Sequence, residues 1–135
     1  MLLRSLLKLL QEQAVDYTPF FRALSRYDGD PAPLEGFFLL PSALHAWLET
    51  YDTRLQEETR GAEARHAAML ATNPKYVLKN YMLQEAIDRA EAGDPSGIET
   101  LLRLAREPYG EHPDCERYAG ATPQQFRSIR LSCSS

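Results

Sequence analysis

Leucines at positions 3, 6, 7 and 10 recur at helical spacing and predict a first helix from Leu2 to about Ala14, with Leu2 and Leu9 widening its apolar face. So broad an apolar face on a short helix predicts that it packs beneath another element. Thr18-Pro19 reads as a cap followed by proline at the first helical position, opening a second helix to about Ser25 that turns Phe20, Phe21 and Leu24 inward. Residues 27–36 hold two glycines and two prolines, a density no helix or central strand sustains, and they predict a mobile loop within a domain. A long helix follows from Ser42 to about Thr59, with Leu44, Trp47, Leu48, Tyr51 and Leu55 on one side, and then a short alanine-rich helix from Glu63 to Leu70.

Asn73 and Pro74 read as the cap and first residue of a further helix that runs through Ala90 to a glycine stop at Gly93, with Tyr76, Val77, Tyr81, Leu83 and Ile87 as its apolar positions. Asp94-Pro95 repeats the device and opens a helix to about Arg106 through Ile98, Leu101, Leu102 and Leu104, ended by Pro108. Residues 109–120 read as irregular. Thr122 to Gln125 reads as the start of one or two further turns, with Gln125 completing a capping box. No segment alternates with a period of two, so the pattern predicts an all-α fold: one compact multi-helix domain over residues 1–135 with an irregular, flexible tail at 127–135.

Composition narrows the classes. At 135 residues and 44% apolar, the chain suffices for one domain with a core. A net charge of −4 without a basic stripe argues against nucleic acid, because nothing is placed to neutralise phosphates. Arg4 and Lys8 interrupt the leucine run, and Gln11-Glu12-Gln13 stands where a small-residue cleavage site belongs. The N-terminus therefore reads as a helix rather than a signal peptide, no membrane span is expected, and a cytoplasmic location is.

Candidate chemistry is sparse. There is no GxGxxG, no GxxxxGK[ST], and no strand for either to follow, so no nucleotide site is expected. The glycines, Gly97 included, read as loop or helix-end residues. His45, His66 and His112 lie far apart and form no metal-ligand pair; no metal is expected. No catalytic residue is assigned. Cys133, in Ser132-Cys133-Ser134-Ser135, reads either as an exposed thiol suited to redox exchange or as an unpaired terminal cysteine. Pairing with Cys115 is feasible entropically, but a cytoplasmic chain keeps both reduced. The run Asn73 to Tyr81 also has two readings. One is a helix start whose tyrosines pack inward. The other is a donor cluster of Lys75, Lys79 and Asn80, beside Tyr76, that meets carboxylates of another domain.

Residues from about 62 to the end resemble the C-terminal region of the selenoprotein-O family of kinase-like protein adenylyltransferases. The likeness rests on Met69 through Asn-Pro-Lys-Tyr-Val-Leu-Lys-Asn-Tyr to Gln84-Glu85-Ala86-Ile87, then Ala90 to Asp94, Leu101-Leu102, Pro108-Tyr109 and the final Leu-Ser-Cys-Ser-Ser. Asp16-Tyr17-Thr18, Phe21-Arg22 and the helix around Trp47 fit the region just before it. The resemblance implies a parent protein with a kinase-like fold, inverted ATP orientation, magnesium dependence and AMP transfer to protein hydroxyls. The family's nucleotide-binding and catalytic residues precede this region, so none carries over and no cofactor is expected in this chain. Cys133 matches a cysteine that some members replace with selenocysteine and that the family links to redox control through a disulfide to the catalytic part. Lys79 stands where the family usually has arginine, and Cys115 where no cysteine is expected.

These readings imply a non-catalytic helical module that supports or redox-regulates a kinase-like domain absent from the chain. Its expected partners are that domain or a second copy of itself, with exposed apolar surface to match. A stand-alone helical adaptor and a small thiol-redox protein using Cys133 are the alternatives.

Overall fold

The computed structural model describes residues 2–120 and Pro123; these form helices and turns, with no strand among them. The predicted Thr122–Gln125 turn and the 127–135 tail lie outside the described residues, Pro123 apart. Packing divides the chain into two compact units, Met1–Asn73 and Pro74–Ser135, where the sequence pattern suggested one domain.

The first unit opens with α1, Leu2–Glu12, which buries Leu6, Leu9 and Leu10. The buried stripe is thus rotated from the expected one, and Leu3 is 54% exposed. The end of α1 explains part of the geometry. Ala14 takes a left-handed φ of 54°, and the Val15 N–H returns to the Leu10 carbonyl at 2.9 Å while the Ala14 N–H reaches Gln11 at 3.2 Å. This is a Schellman closure, and its apolar contact pairs the buried Val15 with the buried Leu10. The Gln13 side chain then holds both backbone groups of Leu40, accepting from its N–H at 3.1 Å and donating to its carbonyl at 3.2 Å.

Helix α2, Tyr17–Leu24, begins after Asp16, two residues before the expected Thr18 cap. It places Phe20, fully buried, edge-on to Phe21, Phe37 and Phe38 at centroid distances of 5.6–5.9 Å. The predicted loop at 27–36 is tied down at both ends: Tyr27 is a core residue, and a short helix α3, Ala32–Glu35, forms within the segment and buries Leu34. Pro31 sits at its start, where a missing N–H costs nothing. Helix α4, Pro41–Gln56, packs on α1 through Leu44, Trp47 and Leu48 as the apolar spacing predicts. The Trp47 indole N–H donates to the Leu2 carbonyl at 3.0 Å, and its ring stacks on Tyr51 at 4.9 Å.

Helix α5, Ala62–Thr72, is joined to α2 by polar groups. Arg22 is 6% exposed, and its Nη1 donates to the carbonyls of Leu70 and Asn73, each at 2.8 Å. Asn73 is the C-terminal cap of α5, and its amide donates to Ser25 Oγ at 3.0 Å. It does not start the next helix as the Asn-Pro pattern suggested.

In the second unit, residues 74–79 are non-helical and α6 spans Asn80–Glu91. No helix starts at Pro74: the Lys75 and Tyr76 N–H groups both bond to the Pro108 carbonyl, at 2.9 and 3.2 Å, and the chain stays non-helical until Asn80. Gly93, at a left-handed φ of 96°, ends the turn after α6 as expected. Helix α7, Ser96–Arg106, returns against α6 and buries Leu101 and Leu104 beside Tyr81, Met82 and Ala86. Gly97 lies inside α7 and is buried at this contact. A Cβ there would meet Ala86 Cα at 3.4 Å, so a side chain larger than alanine would push the helices apart. A 3₁₀ segment, Pro113–Tyr118, completes the cluster with Cys115 and Tyr118.

Ala14→Gly tests the first helix stop. Relieving a left-handed alanine outweighs the added freedom of the unfolded chain, so the variant is expected to gain about 0.5–1 kcal/mol in urea unfolding followed by circular dichroism. A loss of stability would show that the Schellman geometry does not form.

Candidate functional site

Lys75 and Tyr76, two of the four residues singled out in the 73–81 run, come together on the irregular segment that follows α7. Lys75 is 8% exposed, yet its ammonium is fully engaged. It donates to the Glu111 carbonyl at 2.8 Å, to the Glu111 carboxylate at 2.8 Å, and to Glu116. Tyr76, also buried, donates its hydroxyl to the carbonyls of Glu111 and His112, at 2.8 and 3.1 Å. His112 adopts a left-handed φ of 41°, sets its ring edge-on to Tyr76 at 5.5 Å, and donates through Nε2 to the Glu107 carbonyl at 2.8 Å.

Burial alone would lower the Lys75 pKa, but the hydrogen bonds to Glu111 and Glu116 reverse this and leave it above the ordinary lysine value. Burial raises the Tyr76 pKa, opposed by the neighbouring Lys75 charge. The pairing of a buried cation with two partly exposed carboxylates fixes a loop whose backbone has no helix to satisfy it.

The other two residues stand apart. Lys79 precedes α6, and its Nζ reaches the Gly120 carbonyl at 3.4 Å. Asn80 is exposed at the first position of α6. Cys133 lies outside the described residues. Cys115, which the sequence pattern left without a role, is 2% exposed and accepts from Arg103 Nη2 at 3.1 Å; the same nitrogen donates to Asp114 at 2.7 Å. That guanidinium draws the Asp114 pKa down.

A second polar node closes the α6–α7 turn. Asp94 accepts from the Ser96 hydroxyl at 2.6 Å, the Ser96 N–H at 3.1 Å and Arg89 at 2.7 Å, which holds its pKa down at about 2. The Asp-Pro signal is therefore a genuine helix start, made by the aspartate one residue outside the cap position. In the first unit, Tyr27 donates to Asp52 at 2.8 Å, and burial followed by this bond raises its pKa.

Among the described residues no group of three or more His, Cys, Asp or Glu side chains is arranged to hold a metal ion. None of the described helices is long and apolar enough to cross a membrane. The surface instead carries apolar groups: Leu39 and Leu40 in the first unit, and Val77, Ile87, Ile98 and Leu102 in the second. The last three line, with Leu78, Leu83 and Ala105, a groove of about 230 Å³ between α6 and α7.

The sequence that builds these helices matches one family of protein-modifying enzymes. The family model described as "Protein adenylyltransferase SelO" matches residues 1–106, and the chain belongs to that family. Two relatives, each called "Protein nucleotidyltransferase YdiU", illustrate the extent. That of Myxococcus xanthus is 47% identical over 130 residues, covering 93% of this chain and 27% of its own length. That of Thioalkalivibrio sulfidiphilus is 49% identical over 137 residues, covering 99% of this chain and 28% of its own length. The chain thus spans little more than a quarter of these relatives. The likeness reaches through α1, well before residue 62.

Lys75→Met removes the cation that joins the Glu111 carbonyl to the Glu111 and Glu116 carboxylates, leaving that carbonyl the Tyr76 hydroxyl as its donor. A loss of about 1–3 kcal/mol is expected in urea unfolding at pH 7. Because the folded pKa of Lys75 is raised, its contribution is complete below the unfolded lysine value and disappears as pH rises through the folded one. The variant should therefore lose less stability than the parent between pH 10 and 12, with the raised tyrosines supplying the remaining alkaline loss. Equal alkaline slopes in the two proteins would refute this role.

Proposed function

We propose that this chain is a non-catalytic helical module of a SelO-type protein adenylyltransferase, supporting or redox-regulating a kinase-like part that lies outside it. The observation that carries the reading is coverage: 93–99% of this chain aligns with only 27–28% of enzymes named for nucleotide transfer to protein. The internal use of Lys75 agrees with it, since a buried ammonium committed to Glu111 and Glu116 holds a loop rather than a phosphate.

On this reading the kinase-like part would supply the ATP and magnesium site and transfer AMP to protein hydroxyls. The module would supply packing surface and the Cys133 thiol. With a peroxide as oxidant, Cys133 and a thiol of the kinase-like part would each give up a proton and an electron to form a disulfide, the peroxide being reduced to water or an alcohol. A reductant would restore both thiols and free the two parts.

Calorimetric titration of the reduced chain with ATP and magnesium, beside a labelled-ATP transfer assay, tests the assignment. The expected result is no heat of binding and no label transfer by the chain alone. It also predicts transfer by a chimera in which this chain replaces the matching region of the Myxococcus xanthus relative. In that chimera, Cys133→Ser should abolish the difference between peroxide-treated and reduced enzyme. Micromolar ATP binding by the isolated chain would overturn the non-catalytic reading, and an unchanged oxidant response in Cys133→Ser would remove the redox part.

A further inference from the structure

We infer that the apolar groove between α6 and α7 seats a segment of the family's polypeptide outside this chain, one that presents aliphatic or aromatic side chains. The inference rests on the module reading above and says which surface makes the contact. Helix α7 is apolar on two sides. Leu101 and Leu104 pack into the core of the second unit, while Ile98, at 46% exposure, and Leu102, at 48%, face outward. On α6, Ile87 is 42% exposed beside them, and Leu78 flanks them just before it. A helix with apolar residues on both flanks belongs to an element covered on both flanks.

The occupant follows from size and connectivity. A stable dimer needs roughly 800 Å² per partner, more surface than the exposed parts of the few aliphatic side chains that wall this groove can supply. A segment joined through the same polypeptide needs no such area, because linkage raises its effective concentration to about the millimolar range. In the relatives this region occupies little more than a quarter of the chain, so most of their polypeptide is available to cover it.

Cysteine labelling reads the groove directly. Ile98→Cys and Leu102→Cys would be placed separately in a Cys133→Ser background, in the full 135-residue chain and in the Myxococcus xanthus chimera. Glu57→Cys, in the charged turn after α4, serves as the reference. Maleimide labelling at 98 and 102 is expected to match the reference in the isolated chain and to slow about tenfold or more in the chimera. Equal rates in both proteins overturn the inference. Protection already present in the dilute isolated chain would mean that its own residues cover the groove, and protection that grows with concentration would mean a second copy; either result also overturns it.

The double variant Ile98→Glu, Leu102→Glu gives an answer even where the labelled chimeras accumulate poorly. Its helix content and soluble yield should be unchanged in the isolated chain, while the soluble yield of the chimera falls several-fold relative to the unsubstituted chimera. An equal yield counts against the groove. These outcomes are separate from ATP binding by the isolated chain, which alone would unseat the module reading.

Discussion

Partly buried backbone carbonyls at helix ends and in irregular chain are the constraint around which this protein is organised. Both units carry irregular chain against their cores, and a buried carbonyl lacking a donor costs about 1–3 kcal/mol. Long cations solve the problem in each. Arg22 reaches across the first unit to the carbonyls that end α5, and Lys75 reaches the carbonyl of Glu111 in the second. Each buries an aliphatic stem while its charged head satisfies backbone rather than solvent. Arginine suits the first position because one planar group spans two carbonyls. Lysine suits the second because a compact ammonium donates to a carbonyl and two carboxylates in different directions.

The helices were legible because their apolar spacing is strong. Leu44, Trp47 and Leu48 fall on one face of α4 as their spacing requires, and Gly93 stops α6 where only a left-handed residue fits. What the sequence could not reveal was how non-local groups override local signals. Asn73-Pro74 is a sound helix start by propensity, yet Asn73 caps the preceding helix and the next N–H groups are claimed by Pro108. The Gly-Pro segment at 27–36 reads as open loop, yet Leu34 and Tyr27 anchor it in the core. Arg22 carried no local signal at all, since a basic residue on a short helix is ordinarily solvated.

The same contrast governs the candidate site. Lys75, Tyr76, Lys79 and Asn80 looked like one polar cluster in sequence. In space Lys75 and Tyr76 turn to the 108–116 loop, Lys79 to Gly120, and Asn80 to the surface. The break at residue 80 produces this separation, because a helix running from Pro74 would have set Lys75 and Lys79 one turn apart on a single face. Gly97 was equally opaque: its role depends on the approach of Ala86 from the other helix, a contact between elements.

Apolar exposure is where sequence pattern and structure meet most usefully. Ile87, Ile98 and Leu102 have the spacing of core residues and fail to be core in the chain as it stands. Local propensity does not require them to be apolar, since polar helix formers would serve α6 and α7 as well on a solvated face. Their character is intelligible if the two helices form the middle rather than the edge of a packed structure. A chain that spans little more than a quarter of its relatives is the setting in which that is expected. The buried pairs Leu101 with Leu104 and Tyr81 with Met82 hold the second unit together from one side. The groove on the other side is the part of the design that the unit itself does not use.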